Sequence, residues 1–75
     1  MSKYTIDNSL RDLRFHADEM TQQELARKTG VTRQTIAAIE KAKYSPSLEL
    51  AFKIAQVFDK SLCDVFSYQN IGGKK

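Results

Sequence analysis

Arg33 and Gln34 stand side by side, each ending in a planar group able to form two parallel hydrogen bonds, with no nucleophile or catalytic base beside them. A guanidinium can donate a bidentate pair to guanine O6 and N7, and a carboxamide can both donate to and accept from adenine. Ala37 and Ala38 follow within a turn, and an alanine methyl packs against a thymine methyl. The chemistry open to this cluster is the reading of base edges in a groove rather than the breaking of bonds.

Such side chains work only if an element holds them outward, and the stretch "TQQELARKTGVTRQTIAAIE" at residues 21–40 supplies one. Thr21 and Glu24 fit a capping box, so a helix begins at about Gln22. Gly30 ends it, because the left-handed turn at a helix terminus costs glycine nothing. Thr32 then caps a further helix reaching about Lys41. Projected at about 100° per residue, Ile36 and Ile39 define its buried direction; Gln34, Ala38 and Lys41 point away, with Arg33 and Ala37 on the shoulder. Ala26 is small enough to let the two helices approach closely.

The remaining sequence frames this pair. Asn8 or Ser9 can cap a first helix with Leu10, Leu13 and Ala17 as its stripe. "KYSP" interrupts the chain, since Pro46 turns Ser45 away from helical geometry. Ser47 opens a fourth helix with Leu48, Ala51, Phe52, Ala55 and Phe58 as the expected apolar face. Ser61 and Asp64 cap a short fifth helix through Val65 and Phe66. Tyr4-Thr5-Ile6 and Phe66-Ser67-Tyr68 alternate apolar with polar and can pair as a two-stranded ribbon. The expectation is an all-α, compact five-helix domain spanning 1–75, with a core at about 9–68 and a frayed tail at about 70–75.

Composition narrows the function classes. Seventy-five residues leave room for one modest core and little for a deep cleft. Between Arg27 and Lys43 five bases face one acid, Glu40, whereas the rest of the chain carries seven bases and eight acids; a basic segment on a near-neutral body suits a polyanion. The sequence has no long apolar run and no secretory leader pattern, so the expected location is cytoplasmic, away from membranes. Cys63, the single cysteine, is expected as a small half-buried side chain, and His16, the single histidine, has no companions for a metal site. No cofactor, metal or small-molecule ligand is expected, and no nucleophile elbow or phosphate loop supports an enzyme.

From Leu10 to about Tyr68 the chain resembles the Cro and phage-repressor type of helix-turn-helix protein, the Xre family. "MTQQELARKTGVTRQTIAAIE" and "KYSPSLELAFKIAQVF" carry the likeness, matching a T-Q-x-x-L-A helix, a glycine turn, an S/T-R-x-x-I helix and a P-S-L helix start. The resemblance implies a DNA-binding regulator of transcription, expected to be a repressor, whose third helix enters the major groove as half of a homodimer on a palindromic operator in double-stranded DNA. Carried over by position, Thr32, Arg33, Gln34, Ala37 and Ala38 face the bases. Gln22, Lys41, Lys43 and Tyr44 hold phosphates, though Gln22 reads equally as an ordinary first-turn residue and Tyr44 as a ring packed under its loop. Arg14 and Glu40 match a structural ion pair of the family. Ala42 stands where the family commonly has glycine, so the exit from the third helix is expected to be longer or differently turned.

Leu62, Val65, Phe66 and Tyr68 are the expected dimer interface, as an apolar patch near the end of the chain. The alternative use of that patch is a protein-interaction module such as an antitoxin or accessory subunit.

Overall fold

A computed structural model describes residues 4–70. The chain runs β1 (Tyr4–Asn8), α1 (Leu10–His16), α2 (Gln22–Thr29), α3 (Arg33–Glu40), α4 (Leu48–Val57), α5 (Leu62–Val65) and β2 (Phe66–Asn70). It is the five-helix domain expected, closed by an antiparallel ribbon in which Ile6 faces Tyr68 and Asn8 faces Phe66. The ribbon extends beyond the expected alternating triplets. Phe66 has already left the helical region, with φ −122° and ψ 145°, and begins the strand instead of ending α5. Of the expected tail, residues 71–75 lie outside the described residues.

The helix starts follow their capping side chains. Thr21, Thr32, Ser47 and Ser61 each accept a bond from the backbone amide three residues on, satisfying one donor that the first turn cannot pair internally. α1 differs. Asn8 Oδ1 accepts from the Leu10 amide at 3.1 Å, and Ser9 makes no side-chain cap bond. Asn8 Nδ2 meanwhile donates to the Ile39 carbonyl at 2.8 Å, joining the ribbon to the far end of α3.

Leu10, Leu25, Ala26, Ile36, Ile39, Leu50, Ile54, Ala55 and Val65 form the buried core. Thr29, the buried polar residue in α2, donates its hydroxyl to the Leu25 carbonyl at 2.9 Å. The apolar face expected for α4 is rotated. Ala51 and Ala55 are buried, but Leu50 and Ile54 complete the face, while Leu48 and Phe52 stay 66% and 49% exposed. "LELAFKIA" carries two apolar stripes two residues apart in register, Leu48 with Phe52 and Leu50 with Ile54, and packing against α2 selects the second. Cys63 is exposed, not half-buried, because it lies on the outer side of a single helical turn whose inward residue is Val65.

Both helices of the central pair end in left-handed turns. Gly30 has φ 78° after α2, and Ala42 has φ 59° after α3. After α3 the amides of Ala42 and Lys43 reach back to the carbonyls of Ile39 and Ala38, both at 2.9 Å. That is the Schellman pattern, in which glycine is usual at the position Ala42 fills. The exit therefore keeps the glycine-type geometry with an alanine in it, neither longer nor differently turned.

Candidate nucleic-acid interface

The α2–Gly30–α3 unit sets the geometry of the candidate site. Ile36 and Ile39, at 0% and 1% exposure, fasten α3 to the core from one side, and the opposite side carries Arg33, Gln34 and Lys41 into solvent. Ala37 and Ala38 are half-buried between them, so short side chains separate the long ones along the ridge. Thr32 is exposed, but its Oγ1 accepts from the Thr35 amide at 3.2 Å and lies 3.0 Å from Thr35 Oγ1. Its hydroxyl thus serves the helix start. Lys43 and Tyr44, just beyond α3, are exposed, and the Tyr44 ring is half open instead of packed under its loop.

Beneath the ridge lies a polar network. Arg14 grips Glu40 with two bonds, Nε to Oε2 at 2.6 Å and Nη2 to Oε1 at 3.0 Å, and its remaining Nη1 donates to the Met20 carbonyl at 2.8 Å. The two side chains are 16% and 9% exposed, so the bidentate geometry offsets a substantial desolvation cost. The pair ties α1 and the loop before α2 to the last residue of α3. Gln22 joins the same carboxylate through Nε2 at 3.1 Å and accepts from Arg33 Nη1 at 3.4 Å. The side chain expected to be a phosphate ligand or an ordinary helix residue is therefore engaged on both ends of its amide.

Arg11, Arg14, Gln22, Ala37, Glu40 and Lys41 line one groove along this face. Arg11 was not singled out in the sequence. Its spacing of three from Arg14 puts both on one side of α1 and is the signal that could have found it. Conversely, the basic run is not one patch. Arg27 and Lys28 line a different groove with Lys53 and Gln56, because α2 directs its last turn toward α4. The first turn of α2, whose leading amides have no partner inside the helix, opens beside the groove holding Arg11 and Lys41.

Separately from the ridge, Ile6, Leu62, Cys63, Phe66, Ser67 and Tyr68 line an apolar groove, and Ile6, Leu62 and Phe66 continue into a second one with Pro46, Leu48 and Ala51. Val65 takes no part. It is 1% exposed, with its side chain in the core and its carbonyl accepting from the Ser9 amide at 2.9 Å. Its place in the expected dimer interface is corrected accordingly: Val65 turns inward, Leu62 and Phe66 are half-buried, and Tyr68 is exposed.

An exposed polar face on the second helix of a glycine-turned pair is the arrangement of a helix-turn-helix reading head. The Helix-turn-helix family model matches residues 10–65, and the chain belongs to that family, in its Xre-type branch of DNA-binding transcriptional regulators. An uncharacterized HTH-type transcriptional regulator of Methanocaldococcus jannaschii is 59% identical over 51 residues, covering 68% of this chain and 77% of that protein. YgzD of Bacillus subtilis, another uncharacterized HTH-type transcriptional regulator, is 48% identical over 59 residues, covering 79% of this chain and 88% of its own. The cryptic phage CTXphi transcriptional repressor RstR of Vibrio cholerae is 35% identical over 60 residues, covering 80% of this chain and 53% of its own. Among the described residues no helix is long and apolar enough to cross a membrane.

Proposed function

We propose that the chain is a sequence-specific repressor of transcription that inserts α3 into the major groove of double-stranded DNA as a homodimer. The observation that carries this reading is the exposure of Arg33 and Gln34 on a ridge whose other side is locked by Ile36 and Ile39. Arg33 pairs with a guanine, Gln34 with an adenine, and Thr32, Ala37 and Ala38 lie close enough to the groove floor to sense methyl groups. Lys41, Lys43 and Tyr44, together with the first turn of α2, meet phosphates and set the register. The likeness to RstR, a phage repressor by name, supports repression.

Dimerisation rests on the apolar grooves around Leu62, Phe66 and Tyr68, whose lining includes none of the α3 residues assigned to DNA. One copy reads too few base pairs for useful discrimination; two copies read half-sites about 34 Å apart. Selection from a random pool of duplexes tests both parts together. The expected product is an inverted repeat, with binding that weakens as salt rises. Recovery of no preferred sequence, or of a single half-site bound by a monomer, would refute the reading.

A further inference from the structure

The turn that leaves α3 has a shape suited to glycine and an alanine in it. Ala42 has φ 59°, a left-handed conformation that crowds an L side chain against the backbone. Lys43 and Tyr44, exposed and next in the chain, take their position from this turn. Two backbone bonds close it, from the Ala42 amide to the Ile39 carbonyl and from the Lys43 amide to the Ala38 carbonyl, both at 2.9 Å. A further bond arrives from 31 residues away, where Asn8 Nδ2 donates to the same Ile39 carbonyl at 2.8 Å. The chemistry on either side of Asn8 fixes which way its amide faces. The Leu10 N–H only donates, so Oδ1 faces it at 3.1 Å; the Ile39 carbonyl only accepts, so the NH2 group faces α3. The backbone there is held as well, because Asn8 pairs across the ribbon with Phe66 and the Ser9 amide donates to the Val65 carbonyl at 2.9 Å. The donor aimed at Ile39 therefore stands on a fixed support, and a carbonyl gripped from the ribbon resists fraying of the last turn of α3.

We propose that Asn8 is a positioning residue for the phosphate contacts at the exit of α3: by holding the Ile39 carbonyl it keeps the Ala42 turn closed, with Lys43 and Tyr44 aimed at the DNA backbone. The proposal rests on the reading that these two residues meet phosphates. It makes β1, to which no DNA contact is assigned, part of the binding apparatus. Such a place needs a donor and an acceptor on one short side chain, and asparagine has both. Serine would keep an acceptor for the Leu10 amide and lose the donor that reaches Ile39.

The test is the salt dependence of binding to the selected operator and to unrelated duplex, with active protein counted by stoichiometric titration so that loss of folded protein does not enter. Asn8→Ser and Asn8→Ala are both uncharged and add no repulsion of their own. Each is expected to weaken all duplexes alike by roughly three- to tenfold and to lower the salt slope by up to about one per copy, with base preference unchanged. In a Lys43→Ala background the slope should change little further. Ala42→Gly placed in the Asn8→Ser protein should restore most of the loss, because glycine holds the left-handed exit without a clamp. Asn8→Ser carries the test should Asn8→Ala fail to fold. A lowered melting temperature with the parent's salt slope and affinity per active molecule would make Asn8 purely structural and overturn the proposal. Failure of Ala42→Gly to restore binding would overturn it too. An unchanged slope in Lys43→Ala would instead remove the phosphate assignment on which the proposal rests, a result distinct from either.

Discussion

The α3 ridge and the apolar face beside the ribbon are assembled from very different lengths of chain. Thr32, Arg33, Gln34, Ala37, Ala38 and Lys41 come from one continuous run, held up by a cap, a glycine turn and two isoleucines within the same run. The apolar face gathers Ile6 from β1, Pro46 and Leu48 from the start of α4, Leu62 from α5 and Phe66 from β2. A surface built locally keeps its shape as long as its own helix does, whereas one gathered from distant segments depends on the whole fold. Asn8 is a direct link between the two, with one side-chain atom on the Leu10 amide and the other on the Ile39 carbonyl.

The largest effect expected is on the ridge's foundation. Glu40→Ala leaves the Arg14 guanidinium buried without its carboxylate and also frees Gln22, which should cost about 3 kcal/mol of stability. For a domain of this size the thermal midpoint should fall by roughly 12 °C or more. A loss below about 1 kcal/mol in a denaturant titration would mean that the pair contributes no more than a surface contact does.

Gln34→Ala should fold normally, because the side chain is exposed and makes no described contact with the core. Its effect appears in DNA discrimination alone, at about 2 kcal/mol on one base pair of each half-site. Loss of affinity spread evenly over all sequences would demote it from reading to general contact.

Leu62→Asp addresses the opposite surface. A carboxylate introduced into the apolar grooves should raise the dimer dissociation constant at least about tenfold, measured by sedimentation, and leave the monomer's helix content intact. An unchanged dissociation constant would place the contact between copies elsewhere. If the ridge and the face are as independent as their construction suggests, Leu62→Asp should preserve base preference while weakening operator affinity.

The same contrast in construction decides what was legible in the sequence. Thr21, Gly30, Thr32, Ser47 and Ser61 act within three or four residues, so the starts of α2, α3, α4 and α5 and the central turn could be read directly. Arg33 and Gln34 could be placed outward because Ile36 and Ile39 lie on the same short helix. The face of α4 could not: two apolar stripes compete there, and the choice belongs to α2 and the rest of the core, remote in sequence. Val65 is expected at the surface and Cys63 half-buried, and both differ in the structure because one turn of helix is too short to carry a period. The bridge through Gln22 joins residues separated by 18 and 11 positions, and no local pattern marks such a link.

The smallest effect expected compares the two turns that bracket α3. Gly30 and Ala42 share left-handed backbone geometry, with φ 78° and 59°, but only one has the residue that adopts it freely. A Cβ added at Gly30 would meet no heavy atom within 4 Å, so Gly30→Ala carries the conformational cost alone, about 1 kcal/mol. Ala42 already carries that cost, and Ala42→Gly should recover a similar amount, less the greater freedom glycine gains in the unfolded chain. The net gain should be at most about 0.5 kcal/mol in chemical denaturation, with the two backbone bonds to Ile39 and Ala38 kept. Opposite signs for the two substitutions would show that α3 enters and leaves through the same kind of turn. A loss of stability in Ala42→Gly would instead mean that the Ala42 methyl stabilises the exit by more than the left-handed conformation costs.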